Sequence, residues 1–330
     1  MDRNLALDFV RATEAAAMSS ARWMGRGDNK AADQAAVEAM RMVFSTIPIR
    51  GRVVIGEGER DEAPMLYIGE EVGSGNGPEI DIAVDPLEGT NITAKGGYNS
   101  ISVLAASLKG NLLHAPDTYM DKIAVGPEAA GVIDLDAPVK KNIHAVADRL
   151  DKKADDVTVV VLDRDRHSQL IRDIRACGSR IQLIGDGDIA GGLATALPDS
   201  EVDMLMGIGA APEGVITAAG LKTLGGEIQG RLHFRNEEEK ARAQKMGISD
   251  LDKKFSTDDL AKGNDVMFAA TGVTSGSFLR GVRFTAHGAV THSIVMRSKS
   301  RTVRYIEAVH HFEHKETSRG TKGLQGGRHA

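Results

Sequence analysis

Residues 81–91 of the chain are Asp81-Ile82-Ala83-Val84-Asp85-Pro86-Leu87-Glu88-Gly89-Thr90-Asn91. Apolar residues at 80, 82 and 84 alternate with the first two acids, which is the period of a β-strand. We expect Pro86 to end this strand, because proline cannot donate to the hydrogen-bond ladder. Gly89 permits the left-handed backbone from which the next element can start at once. The stretch therefore predicts a strand that stops abruptly at a tight bend.

The predicted bend holds two carboxylates and a hydroxyl, those of Asp85, Glu88 and Thr90. Carboxylates this close repel each other unless protons or cations neutralise them. Hard oxygen ligands at this spacing suit Mg²⁺ or Mn²⁺. The alternative is an ordinary Asp-Pro turn with two solvated acids, and the bend taken alone leaves both interpretations open.

A second acidic turn precedes the first. A short predicted strand at 52–55 runs into Gly56-Glu57-Gly58-Glu59-Arg60-Asp61-Glu62. Solvated loop charges are the ordinary interpretation, but open α/β sheets bind ligands at strand ends, which favours a site. Asp33 lies in the first turn of a predicted helix at 31–47, where an acid usually complements the helix dipole.

The stretch from 157 to 224 alternates predicted strands with predicted helices, the rhythm of a mostly parallel sheet. Loops then leave the carboxyl ends of its strands at 163–167, 185–188 and 207–213. All three open on the same side of such a sheet, where α/β proteins bind ligands. Arg164 and Arg166 in the first loop offer forked donors to a phosphate.

The length of 330 residues fits roughly two domains. We expect an N-terminal metal-binding α+β domain at 1–155, an α/β domain at 156–315 and a disordered tail at 316–330. The net charge of −5 argues against general nucleic-acid binding. The sequence predicts no membrane span and no signal peptide, and its single cysteine, Cys177, fits a reducing cytoplasm.

One motif imitates a dinucleotide-binding fingerprint. Gly207-x-Gly209-x-x-Pro212 follows a predicted strand and precedes a helix, with Glu227 about where the ribose-binding acid belongs. Proline stands where the third glycine is needed for close helix packing, which argues against a nicotinamide dehydrogenase. A single phosphate-binding helix terminus stays open as an interpretation, and it would place Glu213 beside amides that face an anion.

The acidic residues suit the hydrolysis of a phosphate ester. This reaction can need accelerations of up to about 10²¹-fold, and a lone general base supplies only about 10²–10⁴-fold. Two cations roughly 3.5–4 Å apart that clamp the attacking and leaving oxygens supply the remaining stabilisation. If the fold brings them together, five acids would suit such a clamp: Asp33, Glu57, Asp85, Glu88 and Glu213.

The turn at 85–90 resembles the signature shared by lithium-sensitive, metal-dependent sugar and inositol phosphatases. The runs at 56–69 and 207–214 are similar to those of bacterial class II fructose-1,6-bisphosphatase, and the likeness extends from the first helix to about Phe312. The resemblance implies an α/β protein with an α+β N-terminal part, in the layered α-β-α-β-α sugar-phosphatase fold. It also implies hydrolysis of the 1-phosphate of fructose 1,6-bisphosphate in gluconeogenesis, with Mn²⁺ or Mg²⁺.

The family's site residues carry over position by position. The resemblance implies that the metal ligands are Asp33, Glu57, Asp85, Glu88 and Glu213. It implies substrate contacts from Glu88, Gly89 and Thr90 at the scissile phosphate, from Tyr119, Arg164, Asp165 and Arg166 at the distal phosphate, and from Asp186, Gly187, Asp188 and Ala210 around the sugar. Without the resemblance, Tyr119 would be interpreted as core packing. We hypothesise that Asp61 and Thr90 are catalytic and orient and deprotonate the attacking water.

Other functions stay open at the level of sequence. Sedoheptulose-1,7-bisphosphatase, alone or as a dual activity, is the nearest rival. An inositol or nucleotide monophosphatase would share the acidic turn, but the Arg164 and Arg166 pair disfavours it. A catalytically silent sugar-phosphate or metal-binding regulator is disfavoured by the intact acidic set. We further expect a homo-oligomer, a dimer or a tetramer.

Overall fold

The structure is a computed structural model that describes residues 1–58 and 64–314. Asp61 and the predicted tail at 316–330 lie outside the described residues. Within these ranges the helices are α1 (Leu5–Ala21), α2 (Asn29–Phe44), α3 (Thr90–Lys95), α4 (Val139–Arg149), α5 (Ser168–Ala176), α6 (Asp188–Ala194), α7 (Ala211–Leu224), α8 (Glu237–Lys245) and α9 (Thr257–Leu260).

The strands of the described residues form two sheets. They are β1 (Arg50–Ile55), β2 (Glu71–Val72), β3 (Glu79–Glu88), β4 (Ile101–Leu108), β5 (Tyr119–Val125), β6 (Thr158–Leu162), β7 (Arg180–Ile184), β8 (Met204–Ala210), β9 (Glu227–His233), β10 (Met267–Gly272), β11 (Arg283–Thr285), β12 (Gly288–Arg297) and β13 (Thr302–His311).

The larger sheet is mixed. Its order is β11-β12-β10-β4-β3-β1-β2, and β13 pairs antiparallel with the whole of β12. The smaller sheet has the order β7-β6-β8-β5-β9. In it β6 pairs parallel with β7 and β8, whereas β5 is antiparallel to both β8 and β9. Four of its five described strands therefore point the same way, and the carboxyl ends of β6, β7 and β8 share one edge.

The layers follow one another as α, β, α, β, α, and the predicted α/β class is confirmed. Helices α1 and α2 pack on the outer face of the larger sheet, with Phe9, Met40 and Phe44 fully buried. Helix α7 lies between the sheets and is buried almost all round, as a helix enclosed on every side must be. Helices α4 and α5 cover the outer face of the smaller sheet.

Sheet membership does not follow the predicted boundary at residue 155. Strand β5 comes before that boundary and yet lies in the smaller sheet, whereas β10 to β13 come after it and return to the larger sheet. The two-domain division stays a prediction. No helix in the described part of the chain is long and apolar enough to cross a membrane.

The prediction that Pro86 ends its strand is wrong. Strand β3 continues through Pro86 to Glu88, and its register with β4 shifts between Asp85 and Glu88. A proline is tolerated at such an irregularity because no ladder donor is needed there. Gly89 then adopts the left-handed backbone that was predicted for it, with φ +85°, and α3 begins at the next residue. The bend is thus a strand irregularity followed at once by a helix.

Candidate active site

A cavity of about 330 Å³ lies between the two sheets. It is lined by the ends of β1 and β3 from the larger sheet, by the turn before α6, and by the junction of β8 and α7. Eight of the described side chains in its wall are acidic, and they are Asp33, Glu57, Asp85, Glu88, Asp117, Asp186, Asp188 and Glu213. The five acids predicted as metal ligands therefore face one cavity, although they are spread over 180 residues of sequence.

Local structure explains how Asp33 and Glu57 reach this cavity. Helix α2 is capped by Asp28, whose side chain accepts a hydrogen bond from Ala31 N at 2.9 Å, and this fixes the first turn that carries Asp33. Glu57 follows β1, and its backbone N–H donates to Leu66 O at 3.0 Å. A Cβ at Gly56 would lie 2.0 Å from that same carbonyl, so only glycine fits there.

Glu88 connects the two halves of the site. Its side chain is buried, and its carboxylate accepts hydrogen bonds from Ile189 N at 2.6 Å and from Ala190 N at 3.3 Å, at the start of α6. A carboxylate at a helix N-terminus satisfies free amides and complements the helix dipole. Glu88 therefore links the end of β3, in the larger sheet, to the start of α6, which packs beside the smaller sheet. This structural role is separate from any contact with a ligand.

The electrostatics show that the predicted ligands act on one another. Burial raises the pKa of Asp85 well above its ordinary value, and the negative charges of Glu88, Glu213, Glu57 and Asp33 raise it further. The charges of all four other predicted ligands thus act on the Asp85 carboxyl group. Such mutual repulsion is what a bound cation would relieve.

The other acids shift in the same direction. Burial, followed by the charge of Asp33, raises the pKa of Glu57 to about 8. Burial and the charge of Asp188 raise the pKa of Glu213 to about 7. Burial raises the pKa of Glu88 well above its ordinary value, and Asp188 raises it further, although the hydrogen bond from Ile189 lowers it. Strongly perturbed acids that share a cavity are typical of functional sites.

The cavity suits a divalent cation in its chemistry. All the predicted ligands offer carboxylate oxygens, the donors that Mg²⁺ and Mn²⁺ favour. Glu213 Oε2 is buried and has no hydrogen-bond partner among the described residues, so this acceptor is one that a ligand could satisfy. No three His, Cys, Asp or Glu side chains of residues 1–58 and 64–314 form a ready-made metal cage. The acids ring the cavity, and their role as ligands stays a prediction.

A cationic and aromatic cluster lies beside the cavity. The Arg166 guanidinium is 4.7 Å and the Arg235 guanidinium 5.0 Å from the centroid of the Tyr119 ring. Arg166 also donates two hydrogen bonds, at 3.1 and 2.7 Å, to the carbonyl oxygen of Ile208. Tyr119 pairs with Ala210, which lines the cavity. Two guanidinium groups and a phenol at the rim can hold an anionic group.

His167 fixes the loop that presents Arg166. Its Nδ1 lies 2.7 Å from Leu162 O, and its Nε2 accepts from Ile208 N at 2.7 Å, so Nδ1 carries the proton in a neutral ring. Burial lowers the pKa of His167 and favours this neutral form. Gly207 has φ +129°, and a Cβ there would meet His167 Nε2 at 2.9 Å. Gly207, the first glycine of the dinucleotide-like motif, therefore leaves the space that the His167 ring occupies.

The remaining predicted residues divide between cavity and rim. Gly89, Thr90, Asp186, Asp188 and Ala210 line the cavity. Arg164 donates to its neighbour's carbonyl, Asp163 O, at 2.9 Å, and its charge lowers the pKa of Asp186 against the effect of burial. Asp165 is exposed in a short 3-10 turn outside the cavity lining. The two loop arginines thus serve different neighbours.

Sequence reasoning missed three charged residues of this region: Asp117, Lys122 and Arg235. Asp117 lines the cavity two residues before β5. Arg235 comes two residues after β9, so the rule that sites gather at strand ends could have found it. Lys122 was the one basic residue in an otherwise mostly apolar strand sequence, Tyr119–Val125, and such a charge has to be paired when the strand is buried.

The fold and the site together define a layered α/β phosphatase. The chain belongs to the family described as bacterial fructose-1,6-bisphosphatase, glpX-encoded, which it matches over residues 3–310.

Curated relatives match nearly the whole chain. Proteins from Synechococcus sp. (strain JA-3-3Ab) and Synechococcus sp. (strain JA-2-3B'a(2-13)) are each 51% identical to it, over 94% of this chain and 96% of theirs. A protein from Acaryochloris marina (strain MBIC 11017) is 46% identical, over 98% of this chain and 99% of its own. The first two are named D-fructose 1,6-bisphosphatase class 2/sedoheptulose 1,7-bisphosphatase, and the third bears the same name followed by the number 2.

Proposed function

We propose that this chain hydrolyses the 1-phosphate of fructose 1,6-bisphosphate to give fructose 6-phosphate and phosphate, with Mn²⁺ or Mg²⁺ as cofactor. The observation that carries the proposal is the ring of carboxylates around one cavity, to which Asp33, Glu57, Asp85, Glu88 and Glu213 all contribute. Membership of the glpX-type family supports it independently. We further propose that the reaction serves gluconeogenesis in the cytoplasm and that the enzyme is a homo-oligomer.

Each part of the site has a separate task in this proposal. Asp33, Glu57, Asp85, Glu88 and Glu213 would hold the divalent ions, which supply Lewis-acid stabilisation of the phosphate when bound. The Thr90 hydroxyl orients the attacking water, and Asp61 accepts its proton. Asp186 and Asp188 accept hydrogen bonds from the sugar. Tyr119, Arg166 and Arg235 hold the far phosphate and so fix the position of the reacting one.

The decisive experiment compares phosphate release from three substrates, with and without Mn²⁺. We expect fructose 1,6-bisphosphate to be hydrolysed and inositol 1-phosphate to react at least about 100-fold more slowly in kcat/KM, because it lacks the group that the arginine cluster holds. The proposal fails if inositol 1-phosphate is the better substrate, or if no substrate releases phosphate in the presence of Mn²⁺ or, in a parallel assay, of Mg²⁺.

Sedoheptulose 1,7-bisphosphate is the second candidate substrate. It is favoured by the dual names of the relatives from Synechococcus and Acaryochloris. The same assay with sedoheptulose 1,7-bisphosphate distinguishes a single from a dual activity. Equal kcat/KM values for the two bisphosphates would establish the dual enzyme.

Divalent metal should control substrate binding. Each phosphate of the bisphosphate contributes about −1.5 to −2 charges, and without cations the acidic cavity would repel them. Salt screens the distant charges of the protein, so the charges that line the cavity decide the affinity. We therefore expect the dissociation constant of fructose 1,6-bisphosphate to rise at least about tenfold in chelator. Isothermal calorimetry measures this change, and adding back Mn²⁺ is the control. Equally tight binding in chelator would contradict the prediction.

Arg166 should govern the affinity for the bisphosphate. Replacing Arg166 by alanine removes a charged donor from the rim cluster, and we expect KM for fructose 1,6-bisphosphate to rise by roughly 10- to 100-fold with a smaller change in kcat. The matched control is Arg172→Ala, which removes an exposed arginine on α5 that bonds to Gln169. Steady-state kinetics on both variants test the role. A fall in kcat alone, with KM unchanged, would rule it out.

A further inference from the structure

Lys122 is a buried cation behind the acidic cavity. It is 3% exposed, and its Nζ donates to Asp188 Oδ2 at 2.5 Å and to the carbonyl oxygen of Ala210 at 3.0 Å. Asp188 is the first residue of α6, and Ala210 immediately precedes α7. One ammonium group therefore ties together the starts of two helices that form part of the cavity wall.

The backbone around this ion pair is shaped to admit it. A Cβ at Gly209 would lie 2.0 Å from Asp188 Oδ2 and 2.8 Å from Lys122 Nζ. A Cβ at Gly214, on α7, would lie 3.3 Å from Lys122 Cδ. The second glycine of the dinucleotide-like motif thus makes room for a lysine and an aspartate. Any side chain at that position would have to displace the pair.

The ion pair holds Asp188 in a cavity wall that other acids share. Glu88 and Glu213 both sense the charge of Asp188, and Glu213 also senses that of Lys122. Burying a lysine and an aspartate is costly unless they are paired, so the contact with Lys122 fixes the Asp188 side chain in place. The lysine engages Oδ2, and Asp188 also lines the cavity. Lys122 therefore fixes the Asp188 carboxylate in the cavity wall, where a carboxylate can accept a hydrogen bond from a hydroxyl.

We propose that Lys122 is a positioning residue for the sugar of the substrate, acting through the Asp188 carboxylate that it holds at the start of α6. This inference rests on the proposed function. It assigns to Lys122 neither contact with the phosphate nor metal binding. Loss of Lys122 should therefore weaken recognition of the sugar and leave recognition of phosphate intact.

The test uses the full chain with Lys122→Met, which keeps the length of the side chain and removes its charge. We expect KM for fructose 1,6-bisphosphate and the dissociation constant of fructose 6-phosphate each to rise at least about tenfold, the usual effect of losing a hydrogen bond to a charged group. Inhibition by inorganic phosphate, in the presence of Mn²⁺, should change less than about twofold. If Lys122 had only a structural role, its loss would weaken the binding of fructose 6-phosphate and of inorganic phosphate to the same degree. That result would overturn the proposal.

A double-mutant comparison keeps the test valid if Lys122→Met folds poorly. Asp188→Asn and the double variant Lys122→Met with Asp188→Asn should have KM values within about twofold of each other, because the lysine acts only through the aspartate. A further tenfold rise in the double variant would overturn the inference. Phosphate release by the unaltered chain is measured alongside. Its absence would overturn the proposed function as well, whereas a normal KM in Lys122→Met would overturn this inference alone.

The matched control is Lys152→Met. Lys152 pairs with Asp203 at the same 2.5 Å distance, but Asp203 precedes the first residue of β8, at the opposite end of the strand from Ala210. We expect this variant to keep the KM for fructose 1,6-bisphosphate within about twofold. A rise equal to that in Lys122→Met would show that the effect is not specific to the Lys122–Asp188 pair, and would overturn the specific role.

Discussion

Replacing Asp85 by asparagine should lower kcat/KM for fructose 1,6-bisphosphate by at least about 10³-fold, because the electrostatic stabilisation of phosphate transfer depends on charges placed in advance. The negative charges of all four other predicted metal ligands act on Asp85. Asparagine keeps the size of the side chain and removes its charge. Steady-state kinetics over a range of Mn²⁺ concentrations measures the loss.

The same substitution should stabilise the protein in chelator. Burial and the neighbouring acids disfavour the ionised Asp85 carboxylate in the metal-free fold, and asparagine avoids this cost, so we expect the melting temperature at neutral pH to rise by about 2 °C or more. Activity and stability therefore change in opposite directions, which simple misfolding cannot produce. Calorimetry of the metal-free chain measures the shift. A variant that is both less active and less stable in chelator would contradict the electrostatic account.

Asp81→Asn is the matched control for Asp85→Asn. Asp81 lies on the same strand, is buried and accepts hydrogen bonds from Gly110 N at 2.7 Å and Leu112 N at 3.2 Å. Its role is therefore to satisfy backbone amides outside the cavity. We expect kcat/KM of the Asp81→Asn variant to stay within about threefold of the value for the unaltered chain. Its melting temperature should be lower, because an asparagine oxygen accepts weaker hydrogen bonds than a carboxylate does. A large loss of activity in this control would remove the significance of the Asp85 result.

Thr90→Ala should reduce kcat by about 10²–10³-fold with little change in KM, since orientation and proton transfer at the attacking water are expressed in the transition state. Thr90 is the first residue of α3 and lines the cavity directly after the irregular end of β3. Thr90→Ser keeps the hydroxyl and should retain activity within about tenfold. Single-turnover and steady-state rates measured with Mn²⁺ distinguish the chemical step from product release.

Asp61→Asn extends this prediction to the other hypothesised catalytic residue. If Asp61 accepts the proton, its asparagine variant should lose kcat to a similar degree, about 10²–10⁴-fold. In the variant that combines Asp61→Asn with Thr90→Ala, kcat should fall by much less than the product of the two separate factors. The effects of residues that act as a unit are not additive. Near-normal kcat in both single variants with Mn²⁺ present would show that the water is activated by other groups.

Much of the architecture could be predicted from local sequence. The alternation of strands and helices from 157 to 224 predicted β6, α5, β7, α6, β8 and α7 in the right order, because apolar periodicity reports directly on burial. Pro86 was misleading, since a proline blocks a ladder bond but does not bar an irregular strand. The pairing of β5 with β8 and β9 was also hidden, because strand order depends on long-range contacts that leave no local pattern.

The sequence by itself determined which residues could do chemistry. Two acidic turns at strand ends, with Glu57 and Asp85, supply oxygen ligands whatever the fold. Only the tertiary structure decided which groups meet. It brought Asp33 and Glu213 to the same cavity, placed Arg235 on Tyr119 and buried Lys122 against Asp188. The physical reason is that residue type sets charge and hydrogen-bonding capacity locally, whereas pairing and burial follow from the packing of two sheets around α7.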